Sequence, residues 1–307
     1  MEIHTNLDQI APEPGGRAVA LGTFDGVHVG HRQVIERARA WAAEHGGRSA
    51  VVTFDPHPLQ VLAPEEPPKL LTTTAIKLDR IASLGVDETI VIPFTEELSR
   101  MSAEDFCEQT LAARIGARHV SVGENFRFGH KAAGDADLLC GRKEFTAEVV
   151  PLVEVDGEPV SSSRIRKLVG AGEVARAARL LGDPFQIEGT VIQGDARGRD
   201  LGMPTANIEP PQETVLPAPG VYAATALGRP AAVSIGVRPT FEREGRLLVE
   251  AYLLDFDGDL YGETLRIGFL ERLRDELNFD SVDELVQQME KDVDETRRIA
   301  EAVGGRR

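Results

Sequence analysis

"RAVALGTFDGVHVGHRQVIERARAWAAEH", residues 17–45, decides how the first half of the chain is read. It opens on a short apolar run with β-branched character. It closes on a segment in which Val34, Ile35 and Ala38 recur at helical spacing. Between the two lie Gly22, Gly26 and Gly30, and two histidines three residues apart, His28 and His31. The stretch reads as a strand handing over to a helix through a glycine-rich turn.

The same alternation continues outward from it. Strand-like runs recur at 49–54, 88–94, 119–123 and 147–155, with helical segments expected at 31–45, 74–84, 102–115 and 134–142. Strands alternating with helices of this length predict an α/β domain, a Rossmann-like, doubly wound parallel sheet. Such sheets bind ligands outside the carboxyl ends of their strands. Both "GTFDGVHVGH" and "TFDPHP" (53–58) follow strands and so fall on that edge.

Two short helical stretches follow, "SSRIRKLVGAG" and "VARAARLLGDP", and then the pattern changes. "FQIEGTVIQG", "GVYAATAL", "PAAVSIGV", "LLVEAYLLDF" and "ETLRIGFL" are strand-like and separated by Gly, Pro and Asp. Short strands with such turns predict a small antiparallel β-barrel or a sandwich. The closing segment carries Ser281 and Glu284 in the spacing of a capping box. Val282, Leu285, Val286, Met289 and Val293 line one stripe of it, so a C-terminal helix should lie on the β domain. The change at 182–184 divides the chain into expected domains 1–183 and 184–307.

Composition limits the classes of function. The 307 residues exceed one ordinary domain. The formal charge of −16 is spread over both halves, so neither offers the basic footprint a nucleic acid demands. Anionic small molecules remain suitable ligands, because a few placed donors suffice for them. Cys107 and Cys140 are the only cysteines, without a CxxC pair, which argues against a zinc framework and against a disulfide scaffold. The opening residues are acidic and lack an apolar core, unlike a secretory signal, and no apolar run approaches a membrane span. The expectation is a cytoplasmic protein with small-molecule substrates, no membrane and no nucleic-acid partner. A homo-oligomer is compatible with the sequence.

The histidine pair sits where a helix N-terminus leaves N–H groups free and carries partial positive charge, a setting that attracts phosphate. Histidines there can donate to phosphate oxygens and stabilise charge as pyrophosphate leaves an α-phosphate. The plain alternative is that they cap the helix. A His-x-x-His metal site lacks a third ligand nearby, and the glycine spacing is not the dinucleotide fingerprint. From the pair alone, phosphate binding and capping both stand. "VSSSRIRKL" (160–168) adds three hydroxyls, Arg164 and Arg166 at an expected helix start, a second anion-binding combination.

With both segments in hand, the chain resembles the bacterial bifunctional riboflavin kinase/FMN adenylyltransferases. "GTFDGVHVGH", "TFDPHP", "VGENFRFG" and "SSSRIR" resemble the flavin-adenylylating, nucleotidyltransferase part. "GDARGRDLGMPTAN", "PGVYAA", "SIGVRPTF", "VEAYLLDFDGDLYG" and "FLERLRDELNFDS" resemble the riboflavin kinase part, a β-barrel. The resemblance implies ATP and Mg2+ as cofactors and riboflavin, FMN and FAD as substrates and products. It implies that His28 and His31 contact the triphosphate. Gly22, Phe24, Asp25 and Gly30 would shape the nucleotide pocket, while Ser162, Ser163, Arg164 and Arg166 hold phosphates. Ser163 stands where the family motif usually has threonine, and keeps the hydroxyl. Asp55, His57, Asn125, Phe126 and Phe128 lie where the flavin would enter, although a phenylalanine such as Phe128 is more often core.

In the second half, Gly194, Gly198 and Gly202 belong to a glycine-rich polar segment suited to wrapping phosphates, without the GKS/GKT of a Walker loop. Thr205 and Asn207 offer the oxygen ligands that a magnesium–nucleotide complex accepts. A plain turn after Pro204 is the alternative. Glu250, a carboxylate among apolar residues on an expected strand, could equally be its solvent side. The resemblance makes it the catalytic base for riboflavin's terminal hydroxyl. Arg274 and Phe279 are expected near the kinase flavin. The rivals are a transferase with an inactive barrel and a flavin-sensing module without turnover. Both predict loss of the groups named here.

Overall fold

The computed structural model describes residues 1–194, 203–237 and 247–305. Gly198 and Gly202 lie outside the described residues. The chain forms two compact units, Met1–Pro68 with Thr74–Ser162, and Lys69–Thr73 with Ser163–Arg307.

The first unit runs β1 (Glu2–His4), β2 (Arg17–Leu21), α1 (Val29–His45), β3 (Arg48–Asp55), α2 (Pro58–Leu62), α3 (Thr74–Ser83) and β4 (Glu88–Pro93). It continues through α4 (Glu96–Ser99), α5 (Ala103–Asp105), a π-helical stretch Phe106–Arg114, β5 (Ala117–Gly123), α6 (Ala136–Cys140) and β6 (Thr146–Val150). A small hairpin of β7 (Glu154–Val155) and β8 (Glu158–Pro159) follows. Six strands form one sheet in the order β1-β4-β3-β2-β5-β6, every pair parallel. β3 and β4 extend to one side of β2, and β5 and β6 to the other. The strand order therefore reverses between β2 and β5.

Burial on both faces explains why the strands read as unbroken apolar runs. In β2, Val19 and Leu21 join Ala50, Val52, Phe106, Leu111 and Phe128 in one core. Ala18 and Ala20 join Val51, Val34, Ile35 and Ala38 in the core on the opposite face, beneath α1. The doubly wound parallel sheet expected from the alternation is present. Three details differ. The 102–115 segment is a short α-turn running into a π-helix, where Ile115 N–H bonds to Thr110 O, five residues back. The 147–155 run splits at Pro151, which lacks a donor for the ladder. β1, three mostly exposed residues at the sheet edge, has no periodicity to read. It is held through Glu2 and His4 beside Arg48 and the buried Glu88.

The second unit contains α7 (Ser162–Gly170, from its second residue), α8 (Val174–Leu181), β9 (Phe185–Ile192), β10 (Ala206–Glu209), β11 (Gly220–Ala226), β12 (Arg229–Val237), β13 (Leu247–Leu253), β14 (Thr264–Arg274) and α9 (Val282–Gly304). β9–β14 close into a six-stranded antiparallel barrel in the order β10-β13-β12-β11-β14-β9. Burial alternates along β9 and β13, with Phe185, Ile187, Val249, Ala251 and Leu253 inside the core. The rings of Phe185, Tyr222 and Phe269 meet there. β11 is buried on nearly every residue, because α9 covers its outer side through Ile299 against Ala223 and Leu270.

The closing helix differs from its expected stripe. Val282 is exposed, while Asp292, Thr296 and Ile299 are buried. Arg274 on β14 forks onto Asp292 at 2.7–3.1 Å, and this pair fixes which face of α9 turns inward. Only half of the capping box forms. Ser281 accepts Glu284 N–H, but the Glu284 carboxylate takes the N–H of Asp280. The helices before the barrel group with it, as does the segment Lys69–Thr73, which bonds to the backbone around Thr214 and to Glu188.

Candidate active sites

Outside the carboxyl ends of β2 and β5, where the strand order reverses, the loop 22–28 turns into α1. Its backbone is unusual: Phe24, Gly26 and Val27 all have positive φ, at 50°, 88° and 45°. Such conformations persist only when the surroundings enforce them. Here every carbonyl from Thr23 to Val27 has a partner. Thr53 Oγ1 donates to Thr23 O (3.0 Å), and Val27 N–H to Phe24 O (3.1 Å). Ser162 Oγ donates to Asp25 O (2.9 Å), Arg80 to Gly26 O (2.9 Å) and Arg32 to Val27 O (3.2 Å). A loop with its carbonyls tied back is suited to presenting N–H groups to an anion.

His28 is the N-cap of α1, and its Nδ1 accepts the backbone N–H of His31 at 3.2 Å. The neutral ring then carries its proton on Nε2. His31 stacks on His28 with ring centroids 3.5 Å apart, and its other side meets the edge of Phe24 at 5.2 Å. A side chain at Gly30 would press on the His28 ring, and one at Gly22 on the Phe24 ring, so both glycines make room for this stack. Burial lowers His28 to about 4. His31 is also pushed well below the usual histidine value, by burial first, then by His28 and Lys77. Both rings are therefore neutral donors near pH 7. His31 Nδ1 is buried and has no hydrogen-bond partner among the described residues. Capping and ligand binding, alternatives in the sequence, are compatible in the structure: one nitrogen of His28 caps, and the stack leaves nitrogens over.

Lys77 on α3 escaped the sequence reading. It is 8% exposed, and Nζ reaches Phe54 O (3.1 Å) and Thr53 Oγ1 (3.4 Å) at the end of β3. Burial lowers it from the usual lysine value, against the carboxylates of Asp25 and Asp55. The signal was readable: Ile76, Lys77, Arg80 and Ile81 form one stripe at helical spacing, and all are buried. Two cations on an apolar stripe need partners.

Of the residues expected around the flavin, Asp55 and Asn125 are exposed and Phe126 is half-buried. Phe126 stacks on Phe128 (5.6 Å), which is itself part of the core. His57 caps α2, accepting Leu59 N–H, in a capping box with Gln60. On α7, Ser162 ties the loop. Ser163 is exposed, Arg164 is half-buried, and Arg166 donates to Lys69 O at 2.6 Å within the second unit.

In the barrel, Asn207 of β10 stands opposite Glu250 of β13, which stands opposite Ser234 of β12. Directly opposed residues share a face, so the amide and carboxylate lie side by side on the alternate of the Val249–Ala251–Leu253 face. Asn207 is 5% exposed, and its Oδ1 is buried without a partner among the described residues. Glu250 is half-buried and engaged by a neighbour. A Cβ at Gly194 would collide with the Asn207 amide, so glycine is required there. Thr205 is half-buried, one residue before β10. PTAN is thus the start of a four-residue strand and not a plain turn. Arg274 holds Asp292, and its guanidinium lies 6.0 Å from the Phe279 ring.

Comparison with known proteins agrees with this division. Residues 10–164 match the family model for FAD synthetase, and residues 181–300 that for riboflavin kinase. The bifunctional riboflavin kinase/FMN adenylyltransferase of Pseudomonas fluorescens is 37% identical, over 98% of each chain. That of Listeria monocytogenes is 39% identical, over 92% of this chain and 91% of its own. A crystal structure from Streptococcus pneumoniae described as a macrolide-efflux protein is 32% identical, with a TM-score of 0.85 over 96% of this chain and 98% of its own. No helix among the described residues here is long and apolar enough to cross a membrane.

Proposed function

The chain belongs to the bifunctional riboflavin kinase/FMN adenylyltransferase family, and on that premise we propose that one polypeptide carries two consecutive reactions. Riboflavin is phosphorylated to FMN with ATP, and FMN is then joined to AMP from a second ATP, giving FAD and pyrophosphate. Residues 1–183 would perform adenylyl transfer and residues 184–307 phosphorylation. The observation that carries the reading is the presence of a separate polar constellation in each matched half: the stacked His28–His31 pair on its tied loop, and the Asn207–Glu250 pair on the barrel.

For adenylyl transfer, the FMN phosphate oxygen attacks the α-phosphorus of ATP and the bond to the β-phosphate breaks. His28 and His31 donate to phosphate oxygens as charge builds on the departing pyrophosphate. Their neutrality at pH 7 suits donation through one N–H each. Ser162, whose hydroxyl ties the loop at Asp25 O, supplies a further phosphate contact. Gly22, Phe24, Asp25 and Gly30 form the nucleotide pocket. Asp55, His57, Asn125 and Phe126 border the flavin, with Phe128 supporting Phe126 from the core.

For phosphorylation, Glu250 accepts the proton of the terminal ribityl hydroxyl as that oxygen attacks the γ-phosphorus. Arg274 and Phe279 border the flavin, and Gly194, packed against the Asn207 amide, adjoins the phosphates. The residues fit Mg2+: Asn207 Oδ1 is a buried oxygen without a partner among the described residues, in register with the Glu250 carboxylate and two positions after Thr205. Thr205 and Asn207 would hold the ion together with nucleotide oxygens. The described residues contain no His/Cys/Asp/Glu cluster for a protein-only cage. Bound there, the ion would neutralise phosphate charge. The partners proposed are riboflavin, FMN and ATP.

Incubating the full chain with ATP, magnesium and riboflavin and separating products by chromatography tests the reading. FMN followed by FAD is expected. FMN without FAD supports an isolated kinase, FAD only from added FMN supports an inactive barrel, and neither product supports a binding module.

A further inference from the structure

The loop, the histidine pair and the end of β3 together form an anion site whose histidines are both neutral, so any permanent charge that the first unit itself supplies comes from another side chain. Lys77 is the side chain placed to supply it. Its ammonium is nine-tenths buried at the carboxyl edge of β3. It is near enough to His31 for its charge to act on that ring. An ammonium has three donors. Two are used at 3.1 and 3.4 Å, on Phe54 O and Thr53 Oγ1, and the third has no partner among the described residues. No carboxylate lies within ion-pair distance of Nζ among the described residues, although Asp25 and Asp55 are close enough to favour its charge.

Burying a long cationic side chain with a weak bond, no ion pair and a donor left over is unfavourable. A structural role alone does not account for it. Thr53 links the two halves of the arrangement: its hydroxyl donates to Thr23 O of the loop and accepts from Lys77. The ammonium is thus attached to the same loop that presents His28 and His31.

We propose that Lys77 is a catalytic residue of adenylyl transfer, holding the ATP polyphosphate with its unused donor and stabilising the pyrophosphate as it leaves. This rests on the assignment of phosphate binding to His28 and His31. The Pα–O bond to the β-phosphate breaks with its electron pair on pyrophosphate, and Lys77 meets that charge without transferring a proton. It complements the histidines: they give directed neutral hydrogen bonds, and Lys77 gives a formal charge in a site shielded from water.

The test uses the full chain with Lys77→Met, Lys77→Arg and, in parallel, His31→Ala. The readouts are kcat and KM for FMN and ATP in FAD formation, pyrophosphate binding by calorimetry, and thermal unfolding. Lys77→Met is expected to lower kcat about 10²–10³-fold, the range for one lost transition-state donor. It should weaken pyrophosphate binding at least tenfold and leave KM for FMN within threefold. Lys77→Arg, which keeps the charge, should recover pyrophosphate binding in part. If Lys77→Met unfolds, Lys77→Arg decides, and an Arg variant that folds but binds pyrophosphate no better than His31→Ala overturns the proposal. Unchanged kcat or unchanged pyrophosphate affinity in Lys77→Met, with His31→Ala impaired, also overturns it and leaves the histidine assignment standing. If neither Lys77→Met nor His31→Ala is impaired, the histidine assignment fails as well.

Discussion

The two constellations proposed for phosphate chemistry are built by different structural means. In the first unit, a parallel sheet and helix α1 place backbone N–H groups and neutral imidazoles at a topological switch point, and five tied carbonyls hold a strained loop in place. In the barrel, no helix terminus takes part among the described residues. Antiparallel register alone sets Asn207 beside Glu250, and strand alternation keeps both off the apolar face. The first is a site of donors suited to charge that develops on a leaving group. The second is a site of acceptors suited to taking a proton and sharing a cation. The difference teaches that a chain handling the same nucleotide twice need not repeat the same device.

The largest expected effect separates the two sites. Glu250→Gln should lower riboflavin phosphorylation about 10²–10⁴-fold, the range for a lost general base, with FAD formation from added FMN unchanged. Steady-state kinetics with each flavin check this. An unchanged kcat on riboflavin would make Glu250 the solvent side of an ordinary strand.

Next come the histidines. His28→Ala and His31→Ala should each lower FAD formation about 10²–10³-fold and leave FMN formation alone. His28→Asn keeps a capping side chain, so it should unfold near the wild-type temperature while losing activity. If His28→Asn restores turnover, capping was its whole contribution.

A pH series sharpens the same point. His28 titrates near 4 in the folded chain and near 6.5 when unfolded. The unfolded state binds more protons in that interval, so stability is full above about pH 6.5 and falls as the pH drops towards 4. Denaturant unfolding of the first unit should lose on the order of 3 kcal/mol from this group over that range, and less in His28→Asn. The smallest effect concerns Ser163, exposed on α7. Ser163→Thr keeps the hydroxyl and should change FAD formation by less than about threefold, since exposed substitutions seldom alter much.

The same comparison explains what could be read in advance. The sheet was legible because buried parallel strands are apolar throughout and helices alternate with them, and the histidine motif followed from its place between β2 and α1. The ends of the elements were not: β1 is three residues, two of them exposed, and the π-helical turn at Phe106–Arg114 has the same residue types as an α-helix. β10 was hidden because four residues after a proline carry too little pattern. In the candidate site, spacing marks Lys77 and Arg80 as buried on one stripe of α3, but their partners, Phe54 O and Gly26 O, are distant backbone groups that spacing cannot encode. Arg274 illustrates the reverse: a motif residue whose guanidinium is held by Asp292, 18 positions away on the closing helix.

The central claim, two independent sites in one chain, is tested most directly by mixing variants. Glu250→Gln alone should make no FAD from riboflavin, and the double variant His28→Ala/His31→Ala should stop at FMN. Combined in equal amounts with riboflavin and ATP, they should restore FAD, because FMN released by one chain is adenylylated by the other. Chromatographic separation of the three flavins reads the result. FAD in the mixture, absent from either variant alone, is the outcome this account predicts. A mixture that stops at FMN, although Glu250→Gln converts added FMN, would contradict it and show that FMN formed on one chain is not released to the transferase site of another.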